Sequence, residues 1–337
     1  MPLRGATIAG VGSYLPERVV TNADMEKIVD TTDDWIFTHT GIRERHIAAD
    51  DQAASDLAFE AATRALTDAG IAPEDVDLII VATVTGDYLF PATANLIQSR
   101  LGCTKATAFD LVRGCTGFVL AMMTASAYIQ SGMADTVLVV AAEMLTRFAD
   151  WTDRSTCVLF GDGAGAVVMT PCEEGMGMLG HASVSQGEWA HLLMVPAGGS
   201  RRPVDEEAIA AHDNKIKMEG HDVYKLSVRG VPLIAEEALA NAGVEASEVD
   251  WVVIHQANKR IIEAAAQRFG WPMSHVPLTI HKYGNSSAAT MPITLDEIYR
   301  QGLIKPGDEV LFVGFGAGFA LAAMVLRWTK EPPAETA

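Results

Sequence analysis

The 337-residue chain is 49% hydrophobic with a formal net charge of −18, enough apolar material for a large core in one big domain or two fused halves. So acidic a chain lacks the positive footprint that general nucleic-acid binding needs. Its longest apolar runs, such as Phe118–Met123 and Val137–Ala142, are too short to cross a bilayer, and four cysteines in a chain this long make no disulfide framework, which suits a reducing cytoplasm.

Ala6-Thr7-Ile8-Ala9-Gly10 reads as an opening strand with no signal-peptide pattern. Ala65–Gly70 followed by Val76–Val81 reads as a helix end, a glycine stop and a buried strand. Phe109–Val112 reads as a strand end and Arg113-Gly114 as a turn, after which Cys115 opens a helix over 116–131. That helix carries no charge on any face, so it is expected to be buried all round. Its small residues permit close packing, with segment 286–301 as the candidate partner.

The chain repeats itself. Residues 65–77 and 238–250 share six of thirteen identities at an offset of 173, which points to a duplicated α/β unit. Matching Ser131-Gly132 to Gln301-Gly302, an offset of 170, aligns helix 116–131 with 286–301 and sets Cys115 on Asn285. The expected organisation is an N-terminal half, 1–172, and a C-terminal half, 173–337, with an insertion at about 181–225. Layers of sheet and helix around buried central helices follow. The polar tail Thr329–Ala337 is expected to fray.

Three residues carry the chemistry. Cys115 follows a strand and a glycine turn and opens a helix, where free N–H groups and the helix dipole are expected to favour the thiolate. Cys103, Cys157 and Cys172 lack that setting and read as structural. His255 ends the apolar strand Trp251–Ile254, a usual place for functional groups in α/β folds, and Gln256-Ala257-Asn258 follows it. Asn285 lies in Gly284-Asn285-Ser286-Ser287, which alone could be only a turn or helix cap. A thiol nucleophile with two hydrogen-bond donors suits acyl transfer through a thioester, followed by attack of a carbon nucleophile.

At these residues the chain resembles the β-ketoacyl-acyl-carrier-protein synthase III family of condensing enzymes, in the thiolase superfamily. The resemblance runs from Ile8 to Trp328. It is most specific at Gly12–Glu17, Thr21-Asn22, Asp33–Ile36, Thr40–Arg45, Phe160–Gly165, His255–Asn258 and Tyr283–Ser287. It implies a thiolase-like fold, two pseudo-symmetric βαβ-type halves in a layered α-β-α-β-α sandwich. It also implies a homodimer, acyl-CoA and malonyl-acyl carrier protein as substrates, and no metal or organic cofactor. Cys115 would take the acyl group, with the backbone N–H groups of Cys115 and Ala317 as oxyanion donors. His255 and Asn285 would hold the malonyl thioester oxygen during decarboxylation. By the same resemblance Trp35 and Arg154 sandwich the CoA adenine, and His221, Lys225 and Phe315 line the substrate path. Phe90 shapes the acyl pocket across the dimer interface, and Arg260 and Arg268 dock the carrier protein. Three positions depart from the family pattern: His39, His221 and Arg113-Gly114.

Three other readings compete. A nicotinamide dehydrogenase needs a dinucleotide fingerprint that opens a helix, yet Gly10-Val11-Gly12 runs into Leu15-Pro16 and Gly161–Gly165 into the strand Ala166–Met169. A non-catalytic binding paralogue is at odds with the intact Cys115, His255 and Asn285. A polyketide-type or chalcone-synthase-like condensing enzyme using malonyl-CoA shares the three residues and stays open.

Overall fold

The computed structural model describes residues 4–333. Seven strands come from the first part of the chain: β1 (Gly5–Tyr14), β2 (Arg18–Thr21), β3 (Glu44–Ile47), β4 (Leu78–Ala82), β5 (Thr107–Leu111), β6 (Val137–Met144) and β7 (Asp162–Cys172). Six follow: β8 (Gly177–Ser185), β9 (Leu193–Met194), β10 (Lys217–Met218), β11 (Trp251–Ile254), β12 (Glu309–Gly316) and β13 (Ala320–Arg327). One sheet has the order β1-β7-β6-β4-β5 and a second the order β8-β13-β12-β11. The two share one plan. In each, the outer two pairings are antiparallel and the next is parallel. Only β5 lacks a counterpart.

Helices fill the spaces between and outside the sheets. Ala54–Ala69 and Thr93–Leu101 pack on the outer face of the first sheet, around Leu57, Ala61, Ile79 and Val140. Gly220–Ala242 and Lys259–Phe269 cover the outer face of the second, around Ile234, Ile262, Leu311 and Val325. Gly117–Gln130 and Thr290–Arg300 lie between the sheets, sharing a core of Phe118, Met122, Leu295, Phe312 and Met324. The result is the expected α-β-α-β-α sandwich. The central helix Gly117–Gln130 has no polar face because a sheet covers it on both sides. Lys259–Phe269 shows the opposite pattern: Ile261, Ile262, Ala265 and Ala266 are buried at helical spacing. Burial of each of those isoleucines contributes about 1.5–3 kcal/mol.

Three expectations need correction. First, Cys115 and Asn285 are not equivalent in the two halves. The turns before the central helices are the 3₁₀ segments Gly114–Thr116 and Ser287–Ala289. Both open on a left-handed residue, Gly114 at φ 56° and Ser287 at φ 50°, so the helix starts correspond at an offset of 173 and Cys115 matches Ala288. The helix ends correspond at 170, because Thr290–Arg300 has 11 residues where Gly117–Gln130 has 14. Aligning the glycines past the helix ends displaced the starts by that missing turn. The two helices meet at these starts, where a Cβ on Gly117 would lie 3.5 Å from Ala288 Cβ.

Second, the segment 181–225 is not one insertion. Residues 181–185 complete β8 against β13, and 220–225 begin the helix Gly220–Ala242. Only 186–219, with β9, β10 and a short helix Glu206–Ala210, stand outside the shared plan. An edge strand with exposed His181, Ser183 and Ser185 reads like loop. Third, the start of the tail is pinned: Thr329 Oγ1 lies 2.7 Å from Thr7 Oγ1, and Lys330 Nζ is 3.4 Å from an Asp68 carboxylate oxygen. Residues 334–337 of that tail lie outside the described residues.

Candidate active site

Cys115 sits in the 3₁₀ turn between β5 and the buried helix Gly117–Gln130, and it is buried. The backbone N–H groups of Ala317 and of Cys115 itself act to lower the thiol's pKa. The turn that brings Ala317 there joins β12 to β13. A Cβ on Gly316 would stand 2.8 Å from Cys115 Sγ, so only glycine leaves room for the nucleophile. Arg113 braces this turn. Its Nη1 lies 2.5 Å from where a Gly318 Cβ would be, and its Nη2 donates to Ser185 Oγ at 2.6 Å. The unusual Arg113 thus supports the loop that carries the Ala317 N–H.

The thiol does not behave as its place before a helix suggested. Burial, reinforced by the nearby Glu143 carboxylate, pushes Cys115 up to about 11, against hydrogen bonds from Ser287, Ala317 and its own N–H. The helix-start contribution is outweighed because the whole turn lies inside the sandwich, away from water. Cys103 and Cys157 are also raised to about 11 by burial. All four cysteines are free thiols.

His255 follows β11, its N–H donating to Val313 O at 2.9 Å. It is buried, and desolvation pulls its pKa down to about 3, so the imidazole is neutral at physiological pH. Its ring meets Phe315 edge-on at 5.1 Å. Its Nδ1 lies 2.7 Å from Thr290 Oγ1, which donates to Ser287 O at 3.0 Å. The residues after His255 have structural duties. Gln256 Oε1 accepts from the N–H groups of Thr279 and Ile280. Asn258 caps the next helix through the Arg260 N–H and donates from Nδ2 to His39 O.

Asn285 is held by a bridge beside Phe160 rather than by a helix. Its Oδ1 accepts from the Ser287 N–H at 2.9 Å, leaving Nδ2 as the free donor. Ser287 Oγ lies 3.6 Å from Cys115 Sγ. Cys115, Asn285 and His255 therefore belong to one cluster with Ser287 at its centre. Ser287 lies within the Tyr283–Ser287 motif without any sign of a role, and nothing in the sequence marks Thr290. Side-chain type alone does not reveal which hydroxyl a buried imidazole will meet.

A second group of residues lies on the helix Asp33–Thr40. Thr32 caps it through the Trp35 N–H. Asp33 accepts from Asn22 Nδ2 and Arg43, and Asn22 in turn accepts from buried Arg45, so the Thr40–Arg45 motif anchors this helix. Arg154 Cζ stands 5.1 Å from the Trp35 ring centroid, and His39 stacks on Trp35 at 4.6 Å. His221 and Lys225 are exposed on the first turns of Gly220–Ala242. Phe90 is 84% exposed beside Tyr88 and Leu89, at 65% and 89%. Arg260 and Arg268 are exposed on Lys259–Phe269, and Arg268 pairs with Glu236 at 3.1 Å. The Gly161–Gly165 run enters β7, and its Asp162 accepts from the N–H groups of Ala48 and Thr146. Among the described residues, no helix is long and apolar enough to cross a membrane.

Comparison with known proteins agrees with this architecture. Family models for 3-oxoacyl-[acyl-carrier-protein] synthase III match residues 109–187, and for its C-terminal part residues 239–328. A β-ketoacyl-[acyl-carrier-protein] synthase III from Caldanaerobacter subterraneus subsp. tengcongensis is 49% identical over 325 residues, 96% of this chain and 98% of the relative. The crystal structure of 3-oxoacyl-[acyl-carrier-protein] synthase III from Aquifex aeolicus superposes with a TM-score of 0.89 at 43% identity, covering 96% of this chain and all (100%) of the other. The priming β-ketosynthase of a polyketide biosynthetic pathway superposes with a TM-score of 0.92 at 35% identity over 98% of both chains. With the thiolase fold and these full-length matches established, the chain belongs to the β-ketoacyl-acyl-carrier-protein synthase III family of condensing acyltransferases.

Proposed function

We propose that this chain condenses an acyl-CoA starter with malonyl-acyl carrier protein, initiating fatty-acid synthesis through an acyl-Cys115 intermediate. The carrying observation is the cluster of Cys115, Asn285 and His255 around Ser287 and Thr290. Cys115 Sγ attacks the thioester carbon. The N–H groups of Cys115 and Ala317, which favour the thiolate, hold the oxyanion that forms beside it.

In the second step the malonyl thioester oxygen takes hydrogen bonds from Asn285 Nδ2 and His255 Nε2. They stabilise the enolate as CO₂ leaves, and the enolate carbon attacks acyl-Cys115. His255 acts as a neutral donor, since burial keeps it uncharged. Thr290 Oγ1 suits it to that task. Turning its proton from Ser287 O to Nδ1 leaves the imidazole proton on Nε2. No step calls for a metal or an organic cofactor.

Trp35 and Arg154 are the proposed adenine clamp. His221, Lys225 and Phe315 line the CoA and substrate path, and Arg260 and Arg268 are the carrier-protein contacts. Cationic side chains there offset the repulsion expected between an acidic carrier and a chain of net charge −18. The exposed run Tyr88–Phe90 supports a homodimer interface, with Phe90 reaching the partner's acyl pocket. The matched strand plan of the two sheets supports a duplication into halves 1–172 and 173–337. Four free thiols suit a reducing cytoplasm.

The test is direct. The protein is incubated with a panel of acyl-CoAs, the acyl mass is located on the Cys115 peptide, and malonyl-carrier protein or malonyl-CoA is added. Carbon–carbon bond formation with the carrier alone supports the reading. Condensation with malonyl-CoA instead identifies a polyketide-type or chalcone-synthase-like enzyme. Acylation without condensation identifies a simple transferase.

A further inference from the structure

Glu143, next to last in β6, is fully buried. Its Oε2 accepts from Thr85 Oγ1 at 2.7 Å and from the Val84 N–H at 3.2 Å. Its Oε1 completes no hydrogen bond. An ionised carboxylate inside a sandwich is costly unless paired. Ser287 and the Ala288 N–H act on this carboxylate from the 3₁₀ turn Ser287–Ala289. They hold the pKa down, while burial drives it up to about 7. Gly163 lies opposite on β7. The ionisable neighbour is Cys115, on the nucleophile turn.

Ser287 acts on both groups. Its Oγ is 3.6 Å from Cys115 Sγ, and its backbone is left-handed at φ 50°. A non-glycine residue adopts that conformation only where the surrounding fold imposes it. Here it keeps the hydroxyl on the thiol while its N–H meets Asn285 Oδ1. Thiol chemistry at neutral pH needs an acceptor for the proton. His255 at about 3 is poorly matched to that task, and a group near 7 is well matched.

We propose that Glu143 accepts the Cys115 proton through Ser287 during acyl transfer, an inference that rests on the acyl-transfer reading of Cys115. As sulfur attacks the thioester carbon, the S–H proton moves to Ser287 Oγ and the Ser287 hydroxyl proton moves to Glu143 Oε1. The S–H electron pair forms the new S–C bond, and CoA leaves as a thiolate. The proton returns along the same path to the departing sulfur, so Glu143 is ionised again before condensation. Glu143 touches no substrate atom in this scheme and is a positioning residue that acts through Ser287.

The test is the pH profile of single-turnover acylation, followed as acyl mass on Cys115 from pH 5.5 to 9. The wild-type rate is expected to rise about tenfold per pH unit below about 7 and then level off as Glu143 becomes ionised. Glu143→Gln and Ser287→Ala should each lose the levelling and keep climbing toward the thiol's own titration, whereas Glu143→Asp should keep a break. The Ser287 variant answers the question even if Glu143→Gln does not fold. A break near 7 that persists in both variants overturns the relay. So does faster neutral-pH acylation of Glu143→Gln with the break unmoved, because Glu143 would then only raise the thiol's pKa. Absence of any acyl mass on wild-type Cys115 overturns the acyl-transfer reading itself, and the relay with it.

Discussion

Thr290 Oγ1 lies 2.7 Å from His255 Nδ1, at the start of the second central helix. The same oxygen accepts the Gln256 N–H at 3.2 Å and donates to Ser287 O at 3.0 Å. One hydroxyl therefore fixes the plane of the imidazole and decides which ring nitrogen carries the proton. Thr290→Val keeps the shape and removes the hydroxyl. It should slow condensation about 10–100-fold, the usual effect of losing an orienting partner, while acylation of Cys115 changes little. Thr290→Ser should restore the rate. Separate single-turnover measurements of the two steps check this, and equal losses in both would show that Thr290 only holds the fold.

Asn285 offers a cleaner separation of roles. Its Oδ1 is taken by the Ser287 N–H, so Nδ2 alone faces outward as a donor. Asn285→Asp keeps the acceptor toward Ser287 and loses the donor. Condensation should fall roughly 10²–10³-fold, as for other oxyanion donors, with acyl-Cys115 still forming and accumulating. Mass spectrometry of the Cys115 peptide after mixing with acyl-CoA and malonyl-carrier protein reads both outcomes at once.

Much of this site was legible in the sequence, and the failures have physical causes. Cys115, His255 and Asn285 stand in local settings that strand ends and glycine turns impose, so they stand out as candidates in linear order. Ser287, Thr290 and Glu143 did not show. Each is an ordinary residue: Ser287 takes its meaning from Cys115, 172 positions away, Thr290 from His255, 35 positions away, and Glu143 from its burial. The same burial reversed the expected direction for the Cys115 thiol: local helix geometry is a sequence property, and desolvation is not. The layered fold followed from the repeat, but the repeat's register did not, because a missing helical turn in Thr290–Arg300 leaves no trace in its flanking glycine.

The Trp35–Arg154 pair is closed. Its 5.1 Å separation is less than the roughly 7 Å needed to hold a planar base between two stacking partners at about 3.5 Å each. Under the proposed adenine clamp, entry of the base requires Arg154 to swing away, breaking its 2.9 Å bond to Asp30 O. Trp35→Ala should raise KM for acyl-CoA about tenfold, the loss of about 1.4 kcal/mol of stacking, with kcat little changed. A truncated acyl-thioester donor without the nucleotide should be handled equally by variant and wild type. A fall in activity toward both donors would assign Trp35 to the core instead.

Glu143 also makes a prediction about stability that is independent of turnover. Its folded pKa, about 7, lies above the ordinary 4.5 of a glutamate. For an acid shifted upward, the folded state binds the proton more tightly than the unfolded one. The favourable contribution is complete below 4.5 and is lost as pH rises through 7. Wild-type protein should therefore lose stability between pH 5 and pH 8 relative to Glu143→Gln, by at most about 3 kcal/mol from this group. Urea unfolding of both proteins at the two pH values measures the difference of differences. Effects of the glutamine on packing cancel between pH 5 and pH 8, so only titration of the carboxyl remains. Parallel stability curves would mean that Glu143 is ionised across this range in the folded protein as in the unfolded one, and would remove the expected break near pH 7 in acylation.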